Sequence, residues 1–76
     1  MRIKNLLGMN VVDTNAKVVG KIEDLDFDQD IGKIQSLIIS HKNNIISNKE
    51  ITVSYSDIEN LGDYVLLNIA IDLDSK

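Results

Sequence analysis

The chain has no cysteine. Disulfides, a thiolate nucleophile and sulfur-ligated metal are therefore excluded. Aromatic residues are scarce, Phe27, Tyr55 and Tyr64 being the whole set. A core of this chain must be aliphatic, which suits β-branched strands. Lysine and arginine number 8 against 12 aspartates and glutamates, a net charge of −4. That balance speaks against direct nucleic-acid binding, which needs basic side chains to displace counterions. It speaks equally against anionic lipid headgroups. No apolar run approaches the ~18 residues of a membrane span, and no charged–apolar–small-residue leader opens the chain. The expectation is a cytoplasmic protein without membrane insertion, recruited to a membrane only by a partner.

The 76 residues suffice for one small domain, 43% apolar and 26% charged, an ordinary globular balance. A single domain over residues 1–76 is expected, with its core from about residue 6 to 73. A chain this short buries only ~60% of its unfolded surface, so a partner or second copy would help it.

Short apolar runs closed by turn signals follow one another along the chain. Ile3–Leu7 is long enough for one helical turn, started near Arg2 or Asn5 and ended by Gly8. Met9–Asp13 reads as a strand, and 13–17 as a turn in which Asn15 best accepts a positive φ. Val18–Asp28 reads as a second strand with broken parity, since Val19 and Ile22 cannot share a face at period two. A β-bulge near Glu23-Asp24 would repair the parity and bend the strand. Gly32 suits the left-handed position of the next turn. Lys33–Ser40 is a third strand whose dense aliphatics suggest cover on both faces. Ile45-Ile46, between polar turn residues, is either a short inward-packing strand or an exposed apolar tip. Ile51 and Val53 alternate with Thr52 and Ser54 in a fourth strand. Ser56 and Glu59 have capping-box spacing and imply a helical turn over 56–60. Val65, Leu67, Ile69, Ile71 and Leu73 alternate as one face of a long last strand. The fold class expected is all-β, a small antiparallel barrel with one or two short helical turns.

Leu7-Gly8, Asp13, Val19-Gly20-Lys21-Ile22-Glu23-Asp24, Phe27-Asp28, Gly32-Lys33-Ile34, Tyr55-Ser56-Asp57-Ile58 and Leu61-Gly62-Asp63 follow one another in an order that resembles the PRC-barrel domain family. Each is weak alone; their order and spacing over Leu6–Leu67 are specific. Ser54 and Tyr55 stand where the family often has proline and tryptophan. Asn15-Ala16 stands where it often has Asn-Gly or Asp-Gly, which implies a more strained turn. The resemblance implies a small barrel of about six strands that binds other molecules and does no chemistry. The family includes the cytoplasmic domain of the photosynthetic reaction-centre H subunit, the C-terminal domain of a ribosome-maturation factor, and stand-alone prokaryotic copies, notably archaeal. Some archaeal members bind the protein that tethers the division ring to the membrane. This chain looks like the stand-alone kind.

The residues suggest little catalysis. Glu23, Asp24, Asp26, Asp28 and Asp30 form an acidic run, but neither frame of it supplies the glycine and glutamate of a calcium loop. A solvated stripe of Asp24, Asp26 and Asp28 is the plain reading; weak cation binding or a basic partner are the others. His41 lacks a nucleophile or carboxylate partner and reads as a surface histidine. No serine has a nucleophile-elbow setting. Interaction is the function left, and the candidate contact residues are Ile45, Ile46, Tyr55, Ile69, Ile71 and Leu73. The Ile69–Leu73 end could pair with its copy in a homodimer. The expectation is a non-enzymatic, cofactor-free adaptor, on the resemblance one for prokaryotic or archaeal cell division. The alternatives are an accessory domain of ribosome maturation that docks on a ribosomal protein, and a small-ligand or cation sensor.

Overall fold

The computed structural model describes residues 1–42 and 48–72. A single helical turn, α1 (Ile3–Leu6), precedes six strands: β1 (Asn10–Val12), β2 (Val18–Asp28), β3 (Lys33–Lys42), β4 (Asn48–Ser54), β5 (Ile58–Leu61) and β6 (Val65–Leu67). A 3₁₀ turn, Tyr55–Asp57, links β4 to β5. The strands form one sheet in the order β4-β3-β2-β1-β6-β5.

That order and one short connection force closure. β4 and β5 lie at opposite edges, and six flat strands at ~4.8 Å spacing span about 24 Å. The step from Ser54 to Ile58 covers at most about 14 Å of extended chain. The sheet must therefore roll, with the 3₁₀ turn bridging its two edges. Asn68 fastens the bridge: its backbone N–H donates to the Asp57 carbonyl at 2.8 Å and its side-chain amide to the Ser56 carbonyl at 3.3 Å. Four of the neighbouring strand pairs are antiparallel. The β1/β6 pair is parallel, Val11 lying opposite Val65, so the sheet is mixed where an all-antiparallel one was expected.

The rolled sheet encloses an aliphatic core. Val11, Val19, Ile22, Leu37, Ile39, Val53, Val65 and Leu67 fill it, and Leu6 of α1 closes one end. Strand β2 shows how parity and bending are linked. Val19, Ile22 and half-buried Leu25 recur every third residue, so each interval needs one displaced residue. The ladder to β3 shifts between Ile22 and Asp24, as expected from the sequence. A second shift, opposite Val11/Val12 of β1, aligns Val19 with Ile22. A third, between Asp26 and Phe27, bends the far end of the β2–β3 hairpin.

At Gly20 the backbone of β3 passes so close that a Cβ would meet the Ser40 carbonyl oxygen and lie 2.9 Å from its carbon. Only glycine allows the strands to cross at this point of the bend.

Some local readings need correction. The left-handed residue in the first turn is Ala16, at φ 64°, not Asn15. The residues from Ile58 are a strand, not a helix, and the 3₁₀ turn is capped by Ser54, whose hydroxyl accepts from the Ser56 N–H at 3.3 Å. Ile58 is needed opposite Leu67 in the β5/β6 ladder, and that pairing overrides the Ser56–Glu59 spacing. Strand β6 stops at Leu67, although the in-out alternation continues, with Ile69 and Ile71 half-buried and Asn68 and Ala70 exposed.

Candidate interaction surfaces

The N-terminal segment lies over one end of the barrel and leaves a groove beside it. Met1, Ile3 and Leu6 line one wall; Ile34 of β3, Tyr55 of the 3₁₀ turn and Leu61 of β5 line the rest. The groove holds about 180 Å³, and Arg2 is the single charged residue in its lining. Phe27 stands opposite Ile34 in the β2/β3 ladder, and directly opposed residues share a sheet face. This is the inward face, carried beyond the end of the core, and there Phe27 is 61% exposed. Ile31, in the adjoining turn, is 66% exposed.

A second surface is acidic. Glu50 of β4 and Lys21 of β2 both stand opposite Ser40 of β3, which brings exposed Glu23 toward Glu50. The two carboxyl groups share a hydrogen bond that, with their mutual repulsion, raises the Glu50 pKa above its ordinary value; slight desolvation and Asp24 add to the rise. Along the hairpin, Asp24 and Asp26 are exposed and Asp28 is half-buried. Each is engaged locally. Asp24 accepts from the Leu25 N–H at 2.8 Å, Asp26 from the Ser36 hydroxyl at 3.1 Å, and Asp28 from the Asp30 N–H at 2.9 Å. Among the described residues no three acidic or histidine side chains converge to hold a metal ion.

The one buried charged side chain among the described residues is Asp13. Its Oδ1 accepts from the N–H groups of Asn15 and Lys17, both at 2.9 Å, and its Oδ2 from that of Ile71 at 3.1 Å. The Lys17 N–H is the largest cause of a pKa held below the ordinary value. Burial opposes it, and the Ile71 and Asn15 N–H groups and the Lys17 charge reinforce it. Asp13 thus binds the β1–β2 turn to the segment after β6. The Thr14 N–H also reaches the Ile69 carbonyl at 3.0 Å. The sequence marked Asp13 by resemblance only; its role depends on a residue 58 positions away.

Of the candidate contact residues, Tyr55 is exposed and lines the groove. Ile69 and Ile71 pack half-buried against the core, and the Ile69 carbonyl and Ile71 N–H are taken by the first turn. Ile45, Ile46 and Leu73 lie outside the described residues. His41 is half-buried, not a free surface group, and its Nδ1 donates to the Val19 carbonyl at 2.7 Å. Phe27 and Ile31 were not singled out from sequence. The signal available was an aromatic and an aliphatic residue set between aspartates in a turn.

Among the described residues no helix is long and apolar enough to cross a membrane. No curated protein matches the chain. Among solved structures it resembles RimM of Pseudomonas aeruginosa, a protein assigned to 16S ribosomal RNA processing, with a TM-score of 0.69 at 14% identity. The likeness covers 99% of this chain and 46% of that one, so the chain spans about half of the RimM protein. The PRC-barrel domain family matches residues 1–73. The rolled six-stranded sheet and the motif order agree with that match, and the chain belongs to the PRC-barrel domain family.

Proposed function

We propose that this domain is a non-catalytic docking module of ribosome maturation that binds a basic ribosomal protein. The observation that carries the reading is the concentration of negative charge over β2 and β4. Glu23 and Glu50 stand so close that Glu50 holds its proton above the ordinary range, and a cationic side chain placed there would relieve the repulsion. The net charge of −4 disfavours direct contact with RNA and favours a basic protein partner. Likeness of fold to a ribosomal RNA processing protein supports the same setting. The division-ring adaptor expected from sequence gains no such support, and the convergence of carboxylates needed by a cation sensor is not found among the described residues.

The test is affinity capture from cells of the source with quantitative mass spectrometry, followed by titration of purified partners. Ribosomal proteins should be recovered, and their affinity should fall with salt and with the charge reversal Glu23→Lys/Glu50→Lys. Recovery of division-ring tethering proteins instead, or binding indifferent to the reversal, would sink the reading.

A further inference from the structure

We propose that the groove beside α1 is filled by a second copy of this chain, whose β2–β3 turn inserts into it in a two-fold symmetric dimer. The groove and the proposed insert are complementary in two respects. The groove is apolar, walled by Met1, Ile3, Leu6, Tyr55 and Leu61, with the Arg2 guanidinium in its lining and Lys4 two residues further along, outside the lining. Neither the Arg2 nor the Lys4 side chain has a hydrogen-bond or ion-pair partner among the described residues. The hairpin tip, Asp26-Phe27-Asp28 of β2 and Gln29-Asp30-Ile31 of the turn, offers the converse: two exposed apolar side chains set among carboxylates. Phe27 fits the apolar walls, and Asp28 and Asp30 fit Arg2 and Lys4.

Groove and insert also belong to one face of the molecule. Ile34 lines the groove and stands directly opposite Phe27. A two-fold axis near this pair places each copy's Phe27 at the other's groove, so the contact is self-complementary and closes on itself. Charge gives the choice of occupant. An apolar insert alone would fit many partners, whereas this face carries both the cations and the anions that answer them. A standard interface takes about 800 Å² from each partner. That is roughly 15% of the 5407 Å² of this chain's surface, within what one face supplies.

The experiment is sedimentation equilibrium of the full chain from micromolar to near-millimolar concentration. Four proteins are compared: wild type, Phe27→Ser, the reversal Arg2→Glu/Lys4→Glu, and that reversal combined with Asp28→Lys/Asp30→Lys. Thermal melts by circular dichroism confirm that each is folded, and the substituted residues are exposed or half-buried. Wild type should dimerise, more weakly at high salt. Phe27→Ser should weaken the dimer about thirtyfold, since a modest anchor loss is incurred twice across a two-fold axis. The reversal should also dissociate it, and the double reversal should restore it. A wild type that stays monomeric overturns the proposal. A dimer indifferent to Phe27→Ser overturns it too and moves the contact elsewhere on the surface. A monomer that binds a synthetic acidic–apolar peptide in the groove overturns it in favour of a foreign occupant.

Discussion

Replacing Gly20 by alanine tests the account of how the barrel bends. The new Cβ would press on the Ser40 carbonyl, and the group it meets is backbone, not the yielding end of a side chain. β3 would have to move away from β2 beside Val19 and Ile39, both fully buried. The hydrogen bond from His41 to the Val19 carbonyl, one residue further along, would be drawn out. Overpacking a methyl group costs about 1–3 kcal/mol, and a backbone obstacle puts this site in the upper half. Removing a glycine from the unfolded chain returns about 0.4–1 kcal/mol. The net loss is therefore about 1–2.6 kcal/mol. For a domain of this size that lowers Tm by about 4–20 °C. Gly62→Ala is the matched control, because nothing lies within 4 Å of its added Cβ, and it should stabilise by the unfolded-chain gain alone, about 0.4–1 kcal/mol. Thermal and urea unfolding followed by circular dichroism measure both. If Gly20→Ala melts within about 2 °C of wild type, or no lower than Gly62→Ala, the close crossing of β2 and β3 is not the source of the bend.

Ala16→Gly should stabilise the protein by up to about 1 kcal/mol. It relieves a left-handed alanine costing about 1–2 kcal/mol against a glycine entropy cost of up to about 1 kcal/mol; a lowered urea midpoint would refute the strain at φ 64°. Asp13 has a folded pKa below its ordinary 3.8, so its stabilisation is complete above that value and fades as pH falls through the folded pKa. Asp13→Asn should lower Tm at pH 7 and flatten the decline below pH ~4; a parallel pH profile in wild type and variant would refute this assignment. Glu50 has the opposite sign. Its raised pKa makes the ionised form a burden at neutral pH that lifts as pH falls through the folded value. Glu50→Gln should raise Tm at pH 7 and leave it little changed at acid pH, and equal gains at both would exclude repulsion from Glu23 as the cause.

Strand β2 was legible to its last residue because polar turn segments bracket it, and its parity break announced the shift at Glu23. The second shift, at Val19, was not separable, since one defect and two produce the same uneven apolar spacing until burial is known. Hydrogen bonds made by Asp13 and Thr14 explain the other differences. Asn15 was the better intrinsic candidate for positive φ, but Asp13 takes its N–H at 2.9 Å and the left-handed step falls to Ala16. Alternation in the last segment was read correctly through Ile71, while the ladder ends at Leu67 because Asp13 and Thr14 claim the groups beyond.

The groove was illegible for a different reason. In sequence Phe27 shares the face of Leu25 and reads as its continuation, and Ile34 belongs to the dense aliphatic run of β3. What separates them from Leu37 and Ile39 is the length of the opposing sheet. β5 spans only Ile58–Leu61 and β6 only Val65–Leu67, so the eleven-residue β2 and ten-residue β3 outrun the strands that would cover them. The inward face of the hairpin emerges apolar and uncovered at Phe27, with α1, Tyr55 and Leu61 gathered only about Ile34. A one-turn helix is too short to hold itself together and stays in place through Leu6, buried in the core. Met1 and Ile3 are left standing over the emergent hairpin at 72% and 55% exposure. Shortening the hairpin while keeping its turn should therefore abolish self-association without loosening the core, whereas lengthening β5 and β6 to cover it should produce a more stable monomer.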